Sequence, residues 1–249
     1  GQCAATVLAY GSEEQKQRYL PAVFTGTAEW CQLFSEPGSG SDLTSLATRA
    51  LRDGVEWIVN GQKVWTSGAQ RARYALLLAR TDPEAEKHAG LTAFAVDMHA
   101  AGVDVRPLRQ MSGGAEFNEV FLSDVRIPDT ERLGDVGAGW AVSNATLAQE
   151  RYNMPRIPGR GSGVIANAVA AWHARPDKTS DAARALKDQL MQHWIDAEVL
   201  RFLQARAAML RAGGGSGPEG SLGKLATSVV YRRLGEWAPA VLGAGALFV

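Results

Sequence analysis

The sequence predicts an α+β protein in which a helical segment precedes a middle antiparallel, β-barrel-like domain and a C-terminal helical bundle. Three patterns lead to this prediction. The beginning of the chain carries helix signals, and the middle consists of short β-rich runs separated by Pro, Gly and Asp. The last part repeats apolar residues at three- and four-residue steps. We therefore expect domain boundaries that divide the chain into 1–28, 29–137 and 138–249.

The first segment is predicted to be helical because it contains a helix start signal. Ser12 is followed three residues later by Gln15, which is the spacing of a capping box, and Glu13 and Glu14 suit the positive end of a helix dipole. Pro21 and Gly26 interrupt the pattern that follows. A helical segment this short cannot bury its apolar face alone, so we expect it to pack on another part of the protein.

The middle region changes to the two-residue period of strands. Residues 57–65 read as two short β-rich runs joined by Asn60-Gly61, a strong signal for a hairpin turn. Further β-rich runs are Tyr74–Arg80, Leu91–Asp97, Val103–Arg106 and Glu119–Leu122. Regularly spaced short strands of this kind predict a compact antiparallel barrel or sandwich.

Helical patterning returns near Trp140 and is interrupted after Met154 by prolines and glycines. The strongest helix prediction is 181–212, which ends at the flexible sequence 213–218, and another helix is predicted at 222–242. The apolar positions of the long helix are Leu186, Leu190, Trp194, Ala197, Leu200 and Leu203.

Composition restricts the class of protein. The 249 residues include 26 basic and 26 acidic side chains, so net charge offers no reason to expect a nucleic-acid or anionic-membrane partner. No run reaches the ~18 apolar residues of a membrane span. Cys3 and Cys31 are too few for a disulfide framework, which favours a reducing compartment: the cytoplasm, or the mitochondrial matrix in a eukaryote. The chain starts without Met and ends on apolar residues, so we expect it to be part of a longer protein.

The loop that follows Cys31-Gln-Leu-Phe has the sequence Ser-Glu-Pro-Gly-Ser-Gly-Ser-Asp. Its glycines and serines could bring backbone N–H groups and hydroxyls close to a polar ligand, although an ordinary turn between strands explains the same residues. The spacing matches neither a P-loop nor a dinucleotide-binding fingerprint. Within this stretch, Cys31 is interpreted as a small buried hydrophobe and Glu36 as a residue that orders the loop.

A second motif, Val-Trp-Thr-Ser-Gly, occurs at 64–68. The Trp65 indole beside the hydroxyls of Thr66 and Ser67 could stack on a planar ring and hydrogen-bond to its polar edge. The alternative is that Trp65 simply packs in the core. The four histidines are scattered without metal-site spacing, so no metal is expected.

Together these stretches resemble the acyl-CoA dehydrogenase family. The similarity continues through Arg80-Thr-Asp-Pro83, Gly102-Val-Asp-Val-Arg-Pro-Leu, Phe117-Asn-Glu-Val-Phe-Leu-Ser-Asp-Val-Arg-Ile-Pro128, Gly137-Ala-Gly-Trp140 and Leu147-Ala-Gln-Glu-Arg151. The order and spacing hold from Cys31 to Arg151, which is far more specific than either motif alone. The family's arrangement of an N-terminal helical domain, a middle β domain and a C-terminal four-helix bundle agrees with the pattern read from the residues.

The resemblance implies FAD as cofactor and assigns roles to individual residues. Leu33, Phe34 and Ser35 correspond to the segment along the flavin pyrimidine and N5 edge, and Ser41 to a residue near the cofactor or the CoA arm. Trp65, Thr66 and Ser67 correspond to the segment against the isoalloxazine. Arg151 corresponds to a contact with the CoA end of the substrate, or else forms an ion pair.

The reaction implied is α,β-dehydrogenation of an acyl-CoA thioester, with electrons passed to an electron-transfer flavoprotein. Glu150 falls at one of two positions from which the family supplies the catalytic base; the other would lie beyond Val249. The alternative for Glu150 is an ion pair on the bundle surface.

The resemblance also implies assembly as a homodimer, homotetramer or mixed tetramer. Most of the family's first helical domain and an Arg-Gln-x-Phe-Gly type segment that reaches the partner's cofactor are not found in these residues. Two other functions therefore stay open: a non-catalytic or site-sharing structural subunit of a mixed complex, and an acyl-CoA oxidase.

Overall fold

The computed structural model describes residues 2–152, 159–215 and 217–248; the side chains of residues 2, 150–152, 247 and 248 lie outside the description. The helices are α1 Gln2–Tyr10, α2 Glu13–Thr25, α3 Gly139–Tyr152, α4 Val164–Ala174, α5 Asp181–Ala212 and α6 Glu219–Leu242. The strands are β1 Trp30–Leu33, β2 Arg49–Asp53, β3 Glu56–Ser67, β4 Tyr74–Arg80, β5 Leu91–Asp97, β6 Val103–Leu108, β7 Phe117–Pro128 and β8 Arg132–Leu133. The chain divides into two compact units, Gly1–Glu150 and Arg151–Val249. None of the described helices is long and apolar enough to span a membrane.

The first unit is built on one eight-stranded sheet with the order β6-β7-β3-β2-β4-β5-β8, and β1 joins it beside β4. Most neighbouring strands are antiparallel, as predicted. The exceptions are β1, which runs parallel to β4 over four residue pairs, and a single parallel pair, Arg49 with Arg80, between β2 and β4. The strand β4 is buried along almost its whole length, and its residues contribute to apolar clusters on both faces of the sheet.

The sheet buries a separate apolar cluster on each face. One cluster, here called the strand-lined cluster, lies between the strands themselves and includes Leu33, Trp57, Leu77, Phe94 and Val125. The other, here called the helix-side cluster, packs against the helices α1, α2 and α3 and includes Val7, Tyr19, Leu76, Leu133 and Val142. Neighbouring strand residues such as 76 and 77 therefore belong to different clusters, because side chains alternate between the faces of a sheet.

The sequence prediction of a hairpin at Asn60-Gly61 is wrong. These residues lie inside the continuous strand β3, and the turn that precedes the strand is at Gly54. The glycine is explained by a close approach: a Cβ on Gly61 would stand 2.3 Å from the Thr48 hydroxyl oxygen. The asparagine is explained by a bulge, since the Asn60 side chain exchanges two 2.9 Å hydrogen bonds with the backbone and side chain of Asp124 on β7.

Both ends of the helix α2 agree with the sequence prediction. Ser12 and Gln15 form the expected capping box, and Gly26 ends the helix in the left-handed conformation. Pro21 lies within the helix and does not end it.

The second unit consists of α4, α5 and α6 around its own apolar core. The helix α5 has the predicted bounds, and its N-cap is Ser180, whose hydroxyl accepts a hydrogen bond from the Ala183 N–H. All the predicted apolar positions of α5 except Leu203 belong to the core, which Trp172, Leu234 and Trp237 complete. The helix α4 and the strand β2 are elements that the sequence pattern did not predict.

Candidate active site

A cavity of about 970 Å³ opens in the first unit beside the end of β3. This volume lies at the upper end of the range of ligand sites, which is ~300–1,000 Å³. Five of the residues selected from sequence line it together: Phe34, Ser35, Ser41, Trp65 and Ser67. Its wall also includes residues from α1, β1 and α3, among them Cys3, Trp30, Cys31, Trp140 and Leu147.

A tightly bonded turn shapes the wall between β1 and the cavity. Glu36 and Ser39 exchange backbone hydrogen bonds of 2.7 and 3.1 Å, and the Ser39 hydroxyl donates to the Asp42 carbonyl at 2.7 Å. The Glu36 carboxylate accepts hydrogen bonds from the backbone N–H groups of Ala47 (2.6 Å) and Thr48 (3.0 Å). Glu36 therefore orders the loop, as its sequence context predicted.

Lys63 anchors this wall from below and is fully buried. Its ammonium donates to Glu36 Oε1 at 2.8 Å, to the Phe34 carbonyl at 3.0 Å and to the Leu78 carbonyl at 2.8 Å, so all three N–H groups are used. Burial lowers the pKa of Lys63 to about 8, while the neighbouring carboxylate opposes this shift. The pKa of Glu36 is lowered despite its own burial, because the Lys63 charge and the hydrogen bonds favour its ionised form.

The cavity-facing end of β3 contains a bulge at Trp65. The register between β3 and β7 shifts between Lys63 and Thr66, and Trp65 has a φ of 59°, a conformation that non-glycine residues rarely adopt. The indole is 62% exposed and meets the edge of Phe117, with ring centroids 6.0 Å apart. Trp65 therefore lies in the wall of the cavity and not in the apolar core.

The donor groups of the cavity suit a planar ring with polar edges. Ser35, Ser41 and Ser67 line it, and the buried Trp30 N–H in its wall has no hydrogen-bond partner among the residues that the structure describes. An exposed indole next to these groups can stack on such a ring while the hydroxyls bond to its edge. A flavin ring fits this chemistry.

Two of the proposed cofactor residues do not line the cavity. Leu33 is fully buried in the strand-lined cluster, and Thr66 points to the opposite side of β3 from Trp65 and Ser67. The side chains of Glu150 and Arg151 lie outside the described residues; their backbones belong to the last turn of α3.

Models of two domains from one protein family match most of the chain. Residues 31–125 match the middle domain of acyl-CoA dehydrogenases, and residues 137–248 match the C-terminal domain. The chain belongs to the acyl-CoA dehydrogenase family. Membership of this family indicates FAD as the cofactor.

Similar acyl-CoA dehydrogenases are longer than this chain. The acyl-CoA dehydrogenase FadE34 of Mycobacterium tuberculosis is 42% identical over 246 residues, which are 98% of this chain and 34% of that protein. A solved structure titled as the Tcur3481-Tcur3483 steroid ACAD superposes with a TM-score of 0.87 at 30% identity, covering 98% of this chain and 62% of that one. The ChsE4-ChsE5 complex from Mycobacterium tuberculosis superposes with a TM-score of 0.76 at 32% identity, covering 97% of this chain and 63% of that one.

Two buried polar residues beside this cavity were not selected from the sequence. Lys63 and Asn118 are fully buried, and both hold backbone carbonyl groups next to the cavity. The sequence around them carries no signal of burial, because Lys63 follows the polar Gln62 and Asn118 precedes the acidic Glu119.

The two cysteines of the chain also lie in the cavity wall. Both thiols are buried, and Cys3 Sγ donates to the Cys31 carbonyl at 3.7 Å. Burial raises the pKa of each thiol to about 12, which keeps them protonated and poorly nucleophilic. Cys31 therefore matches its interpretation as a small buried hydrophobe.

Proposed function

We propose that the protein containing this chain is an FAD-dependent acyl-CoA dehydrogenase that converts an acyl-CoA thioester into its 2-enoyl-CoA. The observation that carries this proposal is the cavity in which Trp65, Ser67 and Ser35 converge, in a chain of this family. FAD supplies the hydride-accepting centre of such a reaction. The residues of the chain bind the ring, orient it and remove the substrate's α-proton.

The cavity residues divide into a stacking group and hydrogen-bonding groups. The Trp65 indole would hold the flavin by stacking, and the Ser67 and Ser35 hydroxyls would offer hydrogen bonds to its polar atoms. Leu33, Phe34 and Thr66 contribute through their backbone, since Leu33 and Thr66 direct their side chains away from the cavity. Ser41, at the end of the turn, contacts the cofactor or the CoA arm, and Arg151 contacts the CoA end.

Glu150 is proposed as the catalytic base. In α3 it follows the cavity residue Leu147 by three positions, and Trp140 precedes Leu147 by seven. Residues at these spacings share one face of a helix, so the position of Glu150 belongs to the cavity-facing stripe. A carboxylate is ionised at neutral pH and can therefore take up the α-proton of the substrate as a general base.

The decisive experiment uses the full-length protein and its visible spectrum. We expect a flavin absorption that bleaches on addition of an acyl-CoA, whereas a colourless, folded protein would contradict the proposal. Glu150→Gln should keep the flavin and lose the bleaching. Glu14→Gln, the same change on the exposed face of α2, is the control and should bleach like the wild type.

We further propose that an electron-transfer flavoprotein reoxidises the enzyme and that the protein works in the cytoplasm. Reduced wild-type protein should reoxidise rapidly when an electron-transfer flavoprotein is added and slowly in air. Fast oxygen consumption with peroxide release, and no need for the flavoprotein, would instead identify an acyl-CoA oxidase.

A site-sharing subunit of a mixed complex is the second candidate function. One similar solved structure is named the ChsE4-ChsE5 complex, and the name of another, Tcur3481-Tcur3483, also joins two designations. Co-expression with a second acyl-CoA dehydrogenase chain from the same organism tests this candidate. Flavin binding only in the co-purified complex would support site sharing, and flavin binding by the protein alone would support the first candidate.

We propose a steroid-bearing acyl group as substrate, because one similar structure is titled a steroid acyl-CoA dehydrogenase. Bleaching should then be faster with a steroid-bearing acyl-CoA than with octanoyl-CoA at equal concentration. The reverse order would reject this substrate class without affecting the proposed reaction.

A further inference from the structure

The bulge in β3 reverses which side chains of the strand are buried. In the first part of β3, Trp57, Val59 and Lys63 are buried at odd-numbered positions. After the register shift the buried positions are even, and Trp65 and Ser67 are exposed to the cavity. A strand without the bulge would bury Trp65 and expose Thr66, because side chains strictly alternate between its faces. The bulge therefore decides whether the indole belongs to the cavity.

The backbone conformation that produces this reversal is unfavourable by itself. A positive φ at a bulky residue is a strained state that persists only where the surroundings enforce it. On one side of Trp65, the Val64 N–H donates to the Ser35 carbonyl at 2.9 Å, and Lys63 is fixed by its three acceptors. The strand is thus anchored immediately before the strained residue.

On the other side, Asn118 of β7 anchors the residue that follows. Its side chain is fully buried, and its amide N–H groups donate to the Thr66 carbonyl at 2.9 Å and to Gln70 Oε1 at 2.6 Å. The same bonds connect the strand end to the turn that begins at Gly68. Phe117, the neighbour of Asn118, is in T-shaped contact with the indole. Asn118 is therefore placed to hold the bulge from the partner strand.

We propose that Asn118 is a positioning residue: by holding the Thr66 carbonyl and Gln70 it maintains the bulge that turns Trp65 and Ser67 into the cavity. Only one part of this inference rests on the proposed function, namely that the positioned indole contacts the flavin. The positioning itself is a property of this chain and can be measured without cofactor.

The same pair of strands provides a matched control. A second bulge, between Val59 and Gly61, is held by Asn60, whose side chain bonds to Asp124, and Asp124 also has a positive φ, 51°. Asn60 does not line the cavity. Asn60→Ala therefore removes an asparagine of β3 that supports the bulge in β7, and it leaves the bulge at Trp65 and its hydrogen bonds intact.

The experiment labels the full-length protein, freed of flavin, with 5-fluorotryptophan and records its ¹⁹F spectrum; Trp65→Phe identifies the Trp65 signal. We expect Asn118→Ala to shift or broaden the Trp65 resonance, and Asn60→Ala to leave it in place. Gln70→Ala, which removes one acceptor and keeps the Thr66 bond, should give a smaller change in the same direction and serves if Asn118→Ala does not fold. An unchanged Trp65 signal in the folded variant would overturn the proposal.

Flavin binding is measured separately in the same proteins. Asn118→Ala should weaken FAD binding by about tenfold, the factor that corresponds to losing one buried hydrogen bond, and Asn60→Ala should not. If the wild type binds no flavin, the proposed function fails while the ¹⁹F result still decides the role of Asn118. If FAD binds equally to both variants although the Trp65 signal moves, the indole does not contact the flavin.

Discussion

At the scale of single residues, the most unusual feature of the first unit is a buried ion pair with every hydrogen bond satisfied. Lys63 and Glu36 together use three ammonium N–H groups and accept two backbone N–H groups, so neither charge is left without partners. Such a pair gives little net stability over an apolar pair, but breaking it is costly. Its position under the cavity wall suggests that it is retained for the geometry of that wall.

The pKa of Lys63 makes a prediction about stability and pH. The folded protein holds this proton with a pKa of about 8 and the unfolded chain with the usual 10.5, so between these values the unfolded state binds more protons. The free energy of unfolding attributable to Lys63 should therefore rise with pH, by about 1.4 kcal/mol per unit and about 3 kcal/mol in total. Below pH 8 both states are protonated and the contribution is constant.

Urea unfolding of the wild type and Lys63→Met at pH 8, 9 and 10 measures this contribution as a difference. The comparison cancels the opposite effect of Cys3 and Cys31, whose raised pKa values lower stability above pH 9 in both proteins. A difference between wild type and variant that stays constant or falls over this range would contradict the lowered pKa of Lys63.

At the scale of elements, local sequence signals correctly predicted the helix ends that depend on neighbouring residues. They failed at Asn60-Gly61, where contacts with residues distant in sequence determine the backbone conformation. The capping box at Ser12 and the bounds of α5 are local, and the structure confirms both. The sequence Asn60-Gly61 is typical of a turn. In the structure, however, the glycine is needed because Thr48 lies so close, and the asparagine hydrogen-bonds to a bulge on β7. Both causes lie in segments that are distant in sequence, so the pattern around residue 60 does not contain them.

The candidate site shows the same division. The motifs identified Phe34, Ser35, Ser41, Trp65 and Ser67, which do line one cavity. Periodicity alone could not reveal that Trp65 faces the cavity, because the bulge reverses the alternation of β3. It also could not reveal Asn118, whose role depends on pairing with Thr66 across the sheet.

The explanation for Gly61 predicts the effect of adding a methyl group. Gly61→Ala would place a Cβ 2.3 Å from Thr48 Oγ1 and 2.8 Å from Thr48 Cα, so backbone as well as side chain must move. We expect a loss of about 2 to 3 kcal/mol in the free energy of unfolding, as for other overpacked sites. Gly38→Ala, whose Cβ would meet nothing within 4 Å, is the control and should change stability by less than about 0.5 kcal/mol. Equal stability of the two variants would disprove the close approach.

The capping box of α2 predicts an order of two substitutions. Ser12→Ala removes one cap bond and should cost about 1 kcal/mol. Gln15→Ala should cost more, about 2 to 3 kcal/mol, because the Gln15 amide also donates to the carbonyls of Thr130 (2.7 Å) and Arg132 (3.0 Å). Thermal unfolding with Glu14→Ala as the exposed control measures both. If Ser12→Ala proves the more damaging, the amide does not connect the helix to β8.

At the scale of the whole first unit, the sheet separates two apolar clusters, one on each of its faces. The strand-lined cluster closes the strands on themselves, whereas the helix-side cluster attaches α1, α2 and α3 to the sheet. The cavity lies on the helix side, since Cys3, Phe34 and Leu43 belong both to that cluster and to the cavity wall. The shape of the cavity therefore depends on how the helices pack, and the integrity of the sheet depends on the other face.

Adjacent residues of β4 test this separation. Leu76 and Leu77 are both fully buried, Leu76 on the helix side and Leu77 on the strand-lined side. Either change to Ala should cost about 2 to 5 kcal/mol, but the loss of protection from hydrogen exchange should differ. Leu76→Ala should expose amides of α1 and α3 and weaken flavin binding by the full-length protein, whereas Leu77→Ala should expose amides of β3 and β7. Each variant is the control for the other, because they carry the same substitution one residue apart. Identical exchange patterns in the two variants would mean that the faces of the sheet form a single cooperative core.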